Sequence, residues 1–223
     1  MITPLSIILI KTLFVLILGT ASLIIMLKSL SSLFITYALQ SFLIAVIALT
    51  LFIETNSYVL LSLAILTIIT KVVVIPYMLN RIRIDSATKR DSEFRYLTPV
   101  SAIIVSILLI FVVYISFDRV FQLLQDRLFF LGAVIGVSMV LLGMMVIFSR
   151  KKIVTKTVGY LEMENGILLF GLFIAELPFI IEILIIVDLI IFILLATILA
   201  FGINSTEADF SRKLNTISSW FRE

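Results

Sequence analysis

Seven runs of Ile, Leu, Val and Phe, separated by short polar segments, set the pattern of this chain. They cover Leu5 to Leu27, Leu33 to Ile53, Tyr58 to Leu79, Leu97 to Ser116, Leu128 to Phe148, Val158 to Ala175 and Phe179 to Ile203. A helix needs roughly 20 apolar residues to cross the hydrocarbon core of a bilayer. The pattern therefore predicts an all-α, polytopic membrane protein of about seven transmembrane helices. The sixth run is the shortest and carries two acids, so a hydropathy window ranks it lowest. The first run lacks a basic leader and no small-x-small cleavage pattern follows it, which predicts a retained helix rather than a removed signal.

The charges between the runs supply an orientation. Loops after odd-numbered helices, together with the C-terminal segment, hold Lys28, Arg81, Arg83, Lys89, Arg90, Arg95, Arg150, Lys151, Lys152, Lys156, Arg212, Lys213 and Arg222, whereas the opposite side holds Arg119 and Arg127. Lys and Arg collect on the cytoplasmic side of membrane proteins, so the N-terminus is expected outside and the C-terminus in the cytoplasm, in a cell inner or plasma membrane. The basic loops are expected to set topology and to meet anionic lipid. No folded soluble module presents these charges with aromatic residues, which argues against nucleic acid as a partner.

Residues 1–203 are expected to form one transmembrane helical domain, because no stretch outside the apolar runs is long enough for a second core. The remaining 204–223 place Phe210, Leu214, Ile217 and Phe221 at helical spacing beside Trp220, with Asn204 to Glu207 or Thr206 to Asp209 as a capping box. This predicts an amphipathic helix on the membrane surface or on a neighbouring subunit.

Histidine and cysteine are both absent. That removes the usual protein ligands of haem, zinc and iron–sulfur centres, and the expectation is a chain with no catalytic residues, no metal site and no cofactor of its own. Within the runs, Gly132, Gly136 and Gly143 share a face of the fifth helix, and Gly159 and Gly166 share one on the sixth. Missing side chains let helices approach closely where lipid supplies no hydrophobic drive. Gly166 also follows Glu164 and Asn165, where it leaves room for water. Pro76 interrupts the third helix one turn beyond Lys71 and predicts a bend there.

Ionisable residues inside a bilayer cost several kcal/mol unless they are paired, hydrated or neutralised. Counting 1.5 Å per residue, Lys71 lies about 12 Å and Glu164 about 9 Å from the cytoplasmic face, and Asp188 about 14 Å from the outer end of its helix. These three are expected in one polar layer, serving either as a proton or cation relay or as a buried ion pair that fixes helix register. Glu162 lies about 200° around the helix from Glu164 and near enough to the surface to reach headgroups. Glu182 lines an exit path or caps the start of the last span behind Pro178. Glu54, Glu176, Lys11 and Lys28 lie near the interfaces and are expected to be solvated.

Three segments, Ile69-Thr70-Lys71 followed by Pro76, Gly159-Tyr160-Leu161-Glu162-Met163-Glu164-Asn165-Gly166, and Pro178 through Asp188 with Glu182 between, resemble component E of hydrogenase-4 and formate hydrogenlyase-type complexes. More distantly, helices five to seven resemble the K subunit of respiratory complex I and the C subunit of multisubunit cation/proton antiporters, which carry buried acids on the helices that hold Glu164 and Asp188 here. Aligning glycine and asparagine places the K subunit's glutamate nearer Leu161, the last acid here is an aspartate, and Glu162 falls outside the hydrogenase pattern. The resemblance implies a non-catalytic subunit of a proton- or sodium-translocating [NiFe] hydrogenase complex. Its implied partners are antiporter-like membrane subunits, a quinone-site-like anchor subunit and a peripheral [NiFe] hydrogenase arm holding all the metals. Glu164, Asp188 and Lys71 would stand in the ion path with Glu162 and Glu182. A subunit of an antiporter or complex I-like oxidoreductase, an autonomous transporter, and a structural spacer are the alternatives; no inverted internal repeat supports an autonomous transporter.

Overall fold

A computed structural model describes residues 3–85, 99–120, 127–150 and 153–174, together with Ile186, Val187, Ile190 and Ile193. The described chain is almost entirely helical, without β-strands. Helix α1 spans Pro4–Met26, α2 Leu30–Thr55, α3 Tyr58–Thr67, α4 Ile75–Asp85, α5 Pro99–Val120, α6 Arg127–Ser149 and α7 Ile153–Ile174. Helix thus covers the described residues of each of the first six apolar runs, up to the cap residue Leu27 in the first. Four stretches, Pro4–Met26, Leu30–Thr55, Tyr58–Asn80 and Arg127–Ser149, are long and apolar enough to cross a membrane. Helix α7 falls outside that set because Lys156, Glu162 and Glu164 interrupt it. The segment 204–223, Glu182 and Asp188 lie outside the described residues.

Local chemistry sets the ends of these helices. Pro4 stands at the first turn of α1, where a missing N–H costs nothing, and the Thr3 hydroxyl accepts from the Ser6 amide. Helix α2 stops at Asn56, which takes the left-handed conformation at φ 52°. Asparagine tolerates that region better than most residues, and its amide donates to the Phe52 carbonyl. The Glu54 carboxylate then accepts from the Thr3 amide and from the Thr3 and Ser6 hydroxyls, tying the start of α1 to the end of α2.

Between α3 and α4 the helix does not stop but widens. Ile68–Val74 is π-helical, and the Ile75 amide donates to the Thr70 carbonyl five residues back. Pro76 explains the position. In α geometry its ring would clash with the Val72 carbonyl, and it has no amide to donate; a wider turn carries the preceding carbonyls away from the ring. The irregularity expected from Pro76 is therefore a π-helical segment, with Lys71 at its middle.

Among the described elements, helices α6 and α7 form the most extensive contact, and they run antiparallel. Gly143 faces Gly159, and Gly136 faces Gly166. A methyl group on Gly143 would sit 2.6 Å from the Gly159 carbonyl oxygen, and one on Gly166 would sit 2.7 Å from that of Gly136. The same spacing on both helices lets the two glycine pairs meet together, so the backbones touch. Gly166 consequently leaves no room for water beside Glu164: its open face is filled by the backbone of α6.

Helix α7 lies inside the bundle. Among its described side chains only Tyr160 and Ile167 are exposed, and a helix surrounded in this way carries no one-sided apolar stripe. Helix α2 packs against α7, α1, α3 and the π-helical segment. At one end of the interface Phe173 of α7 makes edge contacts with Phe14 of α1 and Phe129 of α6.

Candidate ion-path site

The site forms where α2, the π-helical segment and α7 meet. Lys71 and Glu164 are 0% and 2% exposed, and the lysine Nζ lies 2.7 Å from Glu164 Oε1. Charges taken out of water need a close partner and further hydrogen bonds to be tolerated. Asn165 supplies the next link. Its Oδ1 accepts from Lys71 Nζ at 3.4 Å, and its Nδ2 donates to Gln40 Oε1 at 3.1 Å and to Ser41 Oγ at 2.9 Å. A continuous polar chain therefore runs from Glu164 through Lys71 and Asn165 to Gln40 and Ser41, and all five residues are buried.

Each position follows from its helix. The wide turn before Pro76 presents Lys71 toward α7. Adjacent residues on an α-helix are about 100° apart, so Glu164 and Asn165 bracket the ammonium from neighbouring directions. The close glycine packing with α6 fixes the rotation of α7 that aims them. The partners of the Lys71 ammonium are thus the Glu164 carboxylate and the Asn165 amide oxygen.

Glu162 is also fully buried, and neither of its carboxylate oxygens has a hydrogen-bond partner among the described residues. The expectation that it reaches headgroups fails for a topological reason: α7 is central, so the side opposite Glu164 faces more protein. Glu162 and Asn165 are three residues apart on α7, about 60° from each other around its axis, and Asn165 bonds to α2. Two further buried polar atoms, Gln40 Nε2 and Thr67 Oγ1, also lack partners among the described residues.

Arg150 departs from its expected place among solvated loop charges. It is fully buried at the end of α6, where its Nη2 donates to the carbonyls of Leu27 at 2.7 Å and Ile25 at 2.9 Å, with Ile24 at 3.4 Å. The last carbonyls of a helix have no partners within it and carry its partial negative charge. Arg150 caps α1 and binds it to α6.

Lys71 and Glu164 were legible as candidates from the sequence, whereas the roles of Gln40 and Ser41 were missed. The available signal was Gln40 itself, an amide in the middle of the apolar run from Leu33 to Ile53; such residues in membrane helices bond to neighbouring helices. No group of three or more potential metal-binding acids occurs among the described residues. No protein-family model, curated protein or solved structure matches the chain.

Proposed function

We propose that this chain is a non-catalytic membrane subunit of a proton- or sodium-translocating complex of the hydrogenase-4 or formate hydrogenlyase type. In this reading it crosses the membrane seven times, with its N-terminus outside and its C-terminus in the cytoplasm. Its neighbours are antiporter-like and quinone-site-like membrane subunits, with electron transfer confined to a peripheral [NiFe] arm. The observation that carries the proposal is the buried Lys71–Glu164 pair on a π-helical turn, extended through Asn165 to α2 and accompanied by the buried Glu162 carboxyl, which has no hydrogen-bond partner among the described residues. Ionisable groups at such depth in a membrane protein commonly mark ion or proton pathways. Glu164 would exchange the ion or proton, Lys71 would bias it by its charge, and Asp188 and Glu182 would continue the path along the last span.

The test uses the tagged chain in its native membranes. Antiporter-like and [NiFe] subunits should co-purify. In inverted vesicles, Glu164→Gln and Lys71→Met should lower ion translocation while hydrogen turnover with an artificial electron acceptor persists. Full pumping by both variants would refute the path.

The 2.7 Å pair with almost no exposure also favours a second reading, a lock that fixes the register of α7 against the third span. A lock predicts that the same variants fail to assemble on native gels. A path predicts assembled complexes that pump poorly.

A further inference from the structure

We infer that the groove between the start of α2 and α4 binds an anionic phospholipid, with the headgroup phosphate at Ser31 and Asn80 and one acyl chain along the apolar wall beyond them. The groove has a volume of about 480 Å³ and is lined by both helices. Ser31, from the first turn of α2, and Asn80, from the later part of α4, form its polar mouth, with Tyr77 one turn before Asn80. Tyrosine favours the boundary between headgroups and hydrocarbon. Phe34, Ile35 and Ala38 continue the α2 wall inward, Ala38 about 10 Å farther along the axis than Ser31. Pro76, which widens the turn that carries Lys71, completes the apolar wall from the other helix.

Polarity and charge select the occupant. The lining passes from polar to apolar along the helix axes, as a phospholipid passes from headgroup to acyl chain, whereas a membrane helix is apolar throughout its crossing. The mouth is also positive. Lys28 is exposed just before α2, and Arg81 and Arg83 follow Asn80 on α4, joined there by one acid, Asp85. Basic pockets between membrane helices hold anionic headgroups, and the Ser31 hydroxyl and Asn80 amide add neutral donors for phosphate oxygens. The open groove on α1 makes the contrast: Ile8, Lys11, Thr12, Val15 and Leu16 line it from one helix, with its single charge inside the span and no graded mouth. The orientation proposed above puts the α2–α4 mouth in the cytoplasmic leaflet, where anionic lipids gather; the inference rests on that orientation only for the leaflet.

The test is native mass spectrometry of the full chain, released from detergent micelles after titration with phosphatidylglycerol or phosphatidylcholine. Phosphatidylglycerol should form one retained adduct at concentrations where phosphatidylcholine forms none. Lys28→Gln should weaken that adduct about fivefold, the factor contributed by one basic residue beside an anionic headgroup. Ala38→Phe fills the apolar wall and should abolish the adduct; if the larger ring prevents folding, Ala38→Leu should give a smaller loss. Lys11→Gln, beside the α1 groove, should leave the adduct unchanged. Equal retention of the two lipids, or equal weakening by Lys11→Gln and Lys28→Gln, overturns the site. So does an adduct that survives Ala38→Phe in a folded chain. A dimer peak in place of the adduct, lost in Ala38→Phe, would give the groove to a second copy and overturn the lipid as its occupant. Each of these outcomes is read without transport, so a failure of the ion path leaves the lipid site standing, and the reverse.

Discussion

The ion pair between Lys71 and Glu164 permits a quantitative test, because its geometry separates the loss of one charge from the loss of both. At 2.7 Å and an effective dielectric constant of about 20, the Coulomb attraction is about 6 kcal/mol. Desolvation opposes it at several kcal/mol per ion, so the pair contributes little net stability. Removing one partner is different, because the remaining charge stays buried without compensation. Lys71→Met or Glu164→Gln alone is expected to cost roughly 3–5 kcal/mol. The double variant Lys71→Met with Glu164→Gln leaves no stranded charge and should cost only about 1–2 kcal/mol, the range for imperfectly satisfied neutral groups. The assay is equilibrium unfolding of the purified chain in mixed micelles, followed by helical circular dichroism and arranged as a double-mutant cycle. A coupling energy of at least about 4 kcal/mol follows from these costs, above the usual range for residues in contact. Additivity within about 0.5 kcal/mol would refute the claim that the two charges depend on each other.

Two further perturbations use the same unfolding assay. Gly143→Ala and Gly159→Ala place a methyl group 2.6 Å and 2.8 Å from the opposing carbonyl oxygen, and each should cost about 1–3 kcal/mol by overpacking; Gly19→Ala, where nothing lies within 4 Å, should be neutral or slightly stabilising because alanine is the better helix former. Arg150→Met removes a charged donor from the C-terminal carbonyls of α1 and should cost roughly 2 kcal/mol, with faster amide exchange in the last turn of α1 as an independent readout. Arg150→Lys should restore only part of this loss, since a compact ammonium lacks the guanidinium fork.

The helices were legible because uninterrupted apolar runs leave few alternatives in a bilayer, where unsatisfied backbone groups are prohibitive. The glycine faces were legible for the same reason. A side chain missing at matched helical spacing is informative only through packing, and Gly143 and Gly159 meet as that spacing requires. Burial was less legible. Arg150 sits in a basic cluster with Lys151 and Lys152, and charge alone cannot distinguish a solvated topology signal from a helix cap. Glu162 was assigned to the surface from its depth along α7, but exposure depends on what surrounds a helix, which its own residues do not state. The polar chain depended on a third helix: Gln40 and Ser41 lie more than 100 residues from Asn165 in sequence, and their pairing is a property of the packed bundle.

The two halves of the site are held with unequal firmness, and that asymmetry makes its own prediction. Glu162, Glu164 and Asn165 belong to α7, whose backbone is clamped against α6 at two glycine pairs. Any rotation of α7 must break contacts along its length. Lys71 instead rides on a π-helical turn, where hydrogen-bond geometry is poorer than in an α-helix, and Pro76 supplies no amide to strengthen it. Regions with weaker backbone bonding open at lower free energy. Amide hydrogen exchange should therefore be faster across Ile68–Val74 than across the stretch of α7 from Gly159 to Gly166, although Lys71 is as deeply buried as its partners. Motion at this site then means displacement of the lysine past stationary carboxyls rather than movement of the acids. Equal protection of the two segments, measured by mass spectrometry on the chain in nanodiscs, would show that Lys71 is held as rigidly as Glu164 and that the wide turn confers no freedom on it.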